Sequence, residues 1–156
     1  MKRPSWIKVA VVCFIAFIAM VWMASQHWIP DYASSLSVPR IYAYKDWQSI
    51  GIYVNVGDRI DIRADGTWLY TPGEYHGPEG HHYYLAPDTY PINAAAGGVL
   101  LGKIGDEGQL FIVGRGRTII ADRAGLLYFR INDDILSDNK GYVWLEIEIT
   151  QNALED

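Results

Sequence analysis

Apolar and polar side chains alternate along several short runs after residue 40. In the clearest run, apolar residues occupy every second position from Val143 to Ile149, and the same alternation occurs at 60–64 and 127–131. A period of two places each apolar set on one face of a β-strand, where it can pack against a second sheet. Glycines between the runs predict tight turns, including one at Gly66 that would end the first of these strands.

Five further segments have the same strand character and are separated by turn residues; they lie near 40–46, 50–56, 98–104, 109–114 and 117–121. Many short strands with this spacing are typical of a sandwich or barrel, and about eight strands is the scale of a jelly roll. The sequence therefore predicts an all-β, jelly-roll-like antiparallel β-sandwich over residues 41–150, with a short tail at 151–156.

The N-terminal region has a different pattern. No charged residue occurs from Val9 to Ala24, and tryptophans stand near both ends of the uncharged run. This length approaches the roughly 20 residues that cross a bilayer as a helix, and tryptophan favours the membrane interface. Residues 1–29 are therefore predicted to form one transmembrane helix that contacts the membrane through 6–29, followed by a linker at 30–40.

Basic residues fix the predicted orientation of this helix. Lys2, Arg3 and Lys8 all precede the apolar run, so the positive-inside rule places the N-terminus in the cytoplasm and the β-domain outside it. The alternative is a cleaved signal peptide. Its best cleavage point, after Ala24, has the bulky Trp22 close before it, where a small residue is preferred.

Composition argues against several classes of function for the part of the chain that follows the predicted membrane helix. Residues 31–156 carry 10 basic and 18 acidic side chains, a net charge of −8, which is a poor match to a phosphate backbone and argues against nucleic acid as a partner. The single cysteine, Cys13, excludes an intramolecular disulfide and a cysteine zinc site. No GxSxG or HExxH motif is present, and we expect a binding protein instead of an enzyme.

An acidic loop lies between the last two strong strands, at 132–141. Calcium takes six to eight oxygen ligands from carboxylates, amides and backbone carbonyls. Asp133, Asp138 and Asn139 offer three side-chain oxygens in this loop. An Asx-rich hairpin turn that binds nothing is the alternative, because the same residue types favour turns.

A long irregular segment at 71–96 holds four prolines, four tyrosines and three histidines. Its carboxylates and imidazoles suit a transition metal; they are Glu74, His76, Glu79, His81 and His82. The adjacent His81 and His82 would point to opposite faces of an extended chain and rarely share one ion. The tyrosines predict either a segment that buries its rings on the sandwich edge or a stacking platform for a sugar or a partner.

Several short motifs follow one another in an order that matches a known family. They are Gly-Asp-Arg-Ile at 57–60, Ala-Asp-Gly-Thr-Trp at 64–68, Gly-Pro-Glu-Gly at 77–80, Leu-Gly-Lys-Ile-Gly at 101–105 and Asn-Asp…Asp-Asn-x-Gly at 132–141. In this order the chain resembles the small bacterial PA-I-type galactophilic lectins over 45–150. The resemblance implies a jelly-roll sandwich with calcium at one end. It also implies that the hydroxyls of a galactose-like sugar complete the calcium shell.

Carried over by position, the resemblance implies calcium ligands at the Val54 carbonyl and at Asp133, Asp138 and Asn139. It also points to ligand-binding positions at Tyr53, His81, His82, Asp134 and Leu136. This chain departs from the lectins in three ways: Val54 stands where they have a tyrosine, the acidic loop is two residues shorter, and their sugar-binding histidine and glutamine have no clean counterpart.

These observations lead to two hypotheses of different classes. The first is a membrane-anchored, extracytoplasmic carbohydrate-binding module that is assisted by calcium and sits in the bacterial inner membrane with its domain in the periplasm. The alternative is a single-span accessory subunit of a larger membrane complex, in which other subunits are the partners and the sandwich is a docking scaffold.

Overall fold

The computed structural model describes residues 38–71 and 73–152. The predicted transmembrane helix at 1–29, residues 30–37 of the predicted linker and residues 153–156 lie outside this range. Among the described residues, no helix has the length and apolar character needed to span a bilayer.

Over residues 38–71 and 73–152, nine strands form two antiparallel sheets. Their bounds are β1 Arg40–Tyr42, β2 Gln48–Val54, β3 Arg59–Thr71, β4 Glu74–His76, β5 Leu100–Ile104, β6 Phe111–Ile112, β7 Gly116–Ile120, β8 Gly125–Ile131 and β9 Lys140–Thr150. One sheet has the order β1-β9-β3-β4, with β7 also paired to β3, and the other has the order β2-β8-β5-β6. One turn of 3-10 helix, Leu136–Asp138, precedes β9. The predicted all-β class with two antiparallel sheets is confirmed.

The alternating runs supply the core, as their period predicts. Leu127, Phe129 and Ile131 on β8 are fully buried, and Val143 and Leu145 on β9 face them across the sandwich. Alternate side chains of a strand point to opposite faces, so each run contributes one apolar face to the layer between the sheets.

Strand β3 is longer than predicted. It continues through Gly66 and pairs with β9 along eleven consecutive positions, from Arg59–Thr150 to Leu69–Lys140. Gly66 has a φ of +110°, and a Cβ there would lie 2.9 Å from the Trp144 ring. The glycine therefore allows a close approach between neighbouring strands, which is a common role for glycine inside a sheet. The predicted turn at this position is wrong.

A long connection of residues 77–99 joins β4 to β5, and we call it the aromatic segment. Its two limbs hydrogen-bond to each other, for example from Ala86 N to Ala95 O at 2.8 Å and from Gly97 N to Tyr84 O at 2.9 Å. Its base joins the core, because Trp68 is fully buried and its Nε1 donates to Gly98 O at 3.1 Å. The segment is thus folded onto the end of the sandwich where β8 passes into β9.

Candidate functional site

Asp133 and Asn139 form a buried polar pair at this end of the sandwich. They lie in the acidic loop, which we define as residues 132–139, between β8 and β9. Their exposed fractions are 4% and 3%. Asn139 Nδ2 donates to Asp133 Oδ2 at 2.6 Å, and the Ala43 carbonyl lies 3.4 Å from the same nitrogen. The loop has therefore folded two of the three predicted calcium side chains against each other.

The buried carboxylate of Asp133 is electrostatically unfavourable. Burial raises the pKa of Asp133, and hydrogen bonds from Asn139, Tyr90 and backbone amides of the loop lower it without cancelling that effect. Removal from water disfavours the charged form of a carboxyl group unless a compensating charge is present. Arg130 does not supply that compensation directly, because its Nη2 donates to the Asp133 backbone carbonyl at 2.7 Å.

Asn139 also has a buried acceptor without a donor. Its Oδ1 is inaccessible to solvent and makes no hydrogen bond to any part of the chain that the structure describes. A buried polar atom without a partner costs about 1–3 kcal/mol, so native proteins rarely keep one without a reason. The Ile135 carbonyl lies 3.5 Å from Asn139 Nδ2, so a carboxylate oxygen of Asp133 and the carbonyls of Ile135 and Ala43 all surround the Asn139 amide. This donor set fits a hard cation such as calcium, which prefers oxygen ligands.

Two tyrosines that the sequence analysis did not assign to the site lie beside this pair. The hydroxyls of Tyr70 and Tyr90 are 3.0 Å apart. Burial and the contacts with Tyr70 and Asp133 raise the pKa of Tyr90, so its hydroxyl stays protonated next to the carboxylate. Continuing the β3–β9 register by one residue beyond Leu69–Lys140 places Tyr70 opposite Asn139. Its position in the alternation of β3 is the one signal that could have located it.

The aromatic segment is held onto the acidic loop by side-chain hydrogen bonds. Asn132 is fully buried; it accepts from Ile92 N at 3.0 Å and donates to Ile92 O at 2.9 Å and Ala96 O at 3.3 Å. Thr89 Oγ1 donates to Asp134 Oδ2 at 2.7 Å. Asn132 and Asp134 therefore position the segment and are themselves already paired.

Several large side chains of this end face solvent. Tyr83 is 95% exposed, and Tyr75, Tyr84 and Leu85 are also exposed. Exposed tyrosine rings offer apolar faces with polar tips. Tyr70 on β3, in contrast, is buried against Gly97 and Gly98 of the aromatic segment.

Val54 and Tyr53 lie at the other end of the sandwich. Val54 is fully buried and pairs with Gly125, the first residue of β8, whereas Asp133 lies two residues beyond Ile131, the last residue of that strand. Six steps along a strand cover roughly 20 Å, so the Val54 carbonyl and Asp133 do not reach one ion. Tyr53 is exposed on the same distant part of β2. The expectation of a shared site with these two residues is therefore corrected.

The other predicted positions are distributed around the pair. Asp138 lies in the exposed 3-10 turn, and Leu136 packs partly against the core, so neither joins Asp133 and Asn139 directly. His82 is exposed, with its ring 6.5 Å from that of Tyr83. His81 faces a different group, which consists of Glu74 and His76.

No protein-family model matches the chain, and no curated protein sequence matches it. Among solved structures, the chain is similar to the N-terminal domain of EclA, described as a PllA-like lectin. The TM-score is 0.56 and the identity is 18%, and the match covers 72% of this chain and 94% of that one. The described domain therefore has a lectin-like β-sandwich fold.

Proposed function

We propose that this chain is a carbohydrate-binding module that uses a calcium ion at the end of the sandwich formed by the acidic loop. One observation carries the proposal: a buried carboxylate, Asp133, accepts from Asn139 Nδ2, while the buried Oδ1 of the same amide has no donor among the described residues. With the two ends of the Asn139 amide exchanged, Oδ1 would face the carboxylate, and a divalent cation between them would neutralise the carboxylate and provide the partner that the amide oxygen lacks.

Asp133 and Asn139 would hold the ion through side-chain oxygens, and the Ile135 carbonyl is the loop carbonyl closest in position to join them. The exposed carboxylate of Asp138 lies in the same loop and would join the ion only by turning inward. When bound, calcium supplies open coordination positions that accept sugar hydroxyls, since it takes six to eight oxygens. These protein groups provide fewer than that number.

The aromatic segment provides the second part of the proposed site. Sugar rings have apolar faces that stack on aromatic side chains, and tyrosine adds a hydroxyl for hydrogen bonding. Tyr83 and Tyr84 are exposed on the segment that Asn132 attaches to the acidic loop. The likeness to a PllA-like lectin domain supports the same proposal, because that protein is named for binding carbohydrate.

We further propose that residues 6–29 anchor this module in the bacterial inner membrane and present it to the periplasm. The support is the uncharged run from Val9 to Ala24 and the basic residues that precede it.

The test is a glycan array probed with the purified, fluorescently labelled full-length chain in buffer with calcium and in buffer with a chelator. We expect binding to a set of glycans in calcium and a loss of at least tenfold in signal with chelator. The same loss is expected for Asp133→Asn in calcium.

Asp122→Asn is the matched control. Asp122 is an exposed aspartate that precedes β8, at the end remote from the acidic loop, and it contacts only Arg123 at 3.4 Å among its ion-pair partners in the described residues. Its variant should bind glycans like the wild type. Absence of glycan binding in both buffers, or equal binding by the wild type and Asp133→Asn, would refute the proposal.

A further inference from the structure

A second group of potential metal ligands lies where β4 meets the aromatic segment. Glu74, His76 and His81 each direct one ligand atom into a common region, and these atoms all lie within 4.8 Å of one another. Glu74 Oε2 is 3.5 Å from His76 Nε2 and 3.7 Å from His81 Nε2. The two imidazole rings have centroids 4.7 Å apart.

The backbone brings these three residues together from two different parts of the chain. Glu74 and His76 are two positions apart on β4 and therefore share one face of that strand. His81 reaches them because its backbone N donates to Gly97 O at 2.8 Å. Gly80 permits this approach: its φ is +76°, and a Cβ there would lie 2.6 Å from the backbone of Gly97.

The types of ligand atom in this group indicate the class of metal that it would bind. Two imidazoles and one carboxylate are typical ligands of zinc, with bonds of about 2.0–2.2 Å. In tetrahedral geometry such bonds separate the ligand atoms by roughly 3.3–3.6 Å, close to the 3.5 and 3.7 Å observed. The imidazoles are 15% and 24% exposed, whereas Glu74 is 62% exposed and can adjust its position.

Neighbouring groups orient both rings. The Thr71 hydroxyl lies 3.2 Å from His76 Nε2, and the Tyr83 backbone N donates to His81 Nδ1 at 3.2 Å. Because Nδ1 accepts this hydrogen bond, Nε2 is the ring nitrogen that faces Glu74 and is available to a metal. A neutral ring bound to a metal through Nε2 would carry its proton on Nδ1, so the Tyr83 amide would lose its acceptor.

We propose that Glu74, His76 and His81 bind a divalent transition-metal ion of the zinc class, with a fourth position open to solvent or to a ligand. This site is distinct from the oxygen-rich pair Asp133 and Asn139. It would tie the β3–β4 hairpin to the part of the aromatic segment that carries Tyr83 and Tyr84, and so fix the orientation of these exposed rings.

The other candidate ligands of this region do not join the cluster. Glu79 pairs with Arg115 at 2.8 Å, and His82 is exposed. The predicted extended chain at His81 and His82 is wrong, because His82 lies in a turn that the bond from Tyr84 N to His81 O closes at 3.4 Å; His82 contributes no ligand atom to the cluster. It therefore gives a matched control with the same chemistry at the next position.

The test is a calorimetric titration of the untagged, calcium-free full-length chain with zinc chloride. We expect one zinc ion per chain in the wild type and in His82→Asn, and an affinity at least tenfold weaker in His76→Asn and His81→Asn. Thermal unfolding in chelator should show that the two cluster variants remain folded. In the wild type, zinc should also shift the amide resonance of Tyr83.

Any one of three results from the wild type and the histidine variants would overturn the inference. They are an absence of zinc binding by the wild type, unchanged affinity in His81→Asn, or equal losses in His81→Asn and His82→Asn. Zinc binding that is lost in Asp133→Asn and retained in His81→Asn would place the ion in the acidic loop and would also overturn it. Failure of the zinc site leaves the glycan measurements unaffected, since the two proposals use different residues.

Discussion

The substitution Asp133→Asn tests the proposed calcium site most directly, because it removes one charge and preserves the shape of the side chain. In chelator, the variant should be no less stable than the wild type. Burial raises the pKa of the wild-type carboxyl, so its ionisation opposes folding. The single oxygen of an asparagine can still accept from Asn139 at 2.6 Å, and the substitution gives up only the longer bond from Ile135 N at 3.4 Å to the second carboxylate oxygen. In calcium, the order should reverse, because the variant loses the charged ligand.

The magnitude follows from mass action. A ligand that binds only the folded state adds about 2.7 kcal/mol at one hundred times its dissociation constant. The described domain has about 115 residues. At an unfolding entropy of about 2.1 cal/mol/K per residue, 1 kcal/mol corresponds to about 4 °C. Saturating calcium should therefore raise the midpoint of the wild type by about 11 °C under that excess, and the midpoint of Asp133→Asn by much less.

The assay is thermal unfolding of both full-length proteins by circular dichroism, in chelator and across a calcium titration. The pH dependence provides an internal check. In chelator, the raised pKa of Asp133 makes the stability of the wild type fall as the pH rises through that folded-state value, and Asp133→Asn lacks this component. Equal calcium shifts in the two proteins, or no shift in the wild type, would refute the reasoning about the buried pair.

Two further substitutions test the geometry. Tyr53→Ala should retain the full calcium shift in the same melting assay, because Tyr53 is exposed at the opposite end of the sandwich; a reduced shift would contradict the placement of the site. Asn132→Ala should lower the free energy of unfolding by about 2–3 kcal/mol in urea, because it removes three hydrogen bonds of a fully buried amide; a change below about 0.5 kcal/mol would show that the aromatic segment is held by other contacts.

The sequence predicted those parts of the fold that depend on local pattern. The alternation in β8 and β9 identified the buried faces correctly, because strand period and burial are coupled at every second residue. The extent of β3 was missed, since Gly66 is a turn signal locally and becomes a strand residue only through its pairing with β9. The residues next to Gly66 in the sequence give no information about its pairing with β9.

For the candidate site as well, local sequence predicted some residues and could not predict others. Asp133 and Asn139 are six residues apart in one loop, so composition and spacing were enough to associate them. The backbone carbonyl expected from the early part of the chain was assigned to Val54, and the structure instead places Ala43 and the end of β3 near the pair. Carbonyls have no sequence signature, and their position depends on strand register, which is set by long-range pairing.

One ladder determines the position of both proposed metal sites. The register between β3 and β9 places the end of β3 opposite Lys140, next to Asn139, and the same strand end pairs with β4 so that Trp68 lies opposite His76. A slip of one residue would reverse every side chain and disperse both sets of ligands. Trp68 opposes such a slip, because its ring is fully buried and its Nε1 is bonded to Gly98 O beneath the aromatic segment. The register of β3 therefore positions Trp68, the proposed calcium site and the proposed zinc site together, although the two sites have no ligand in common.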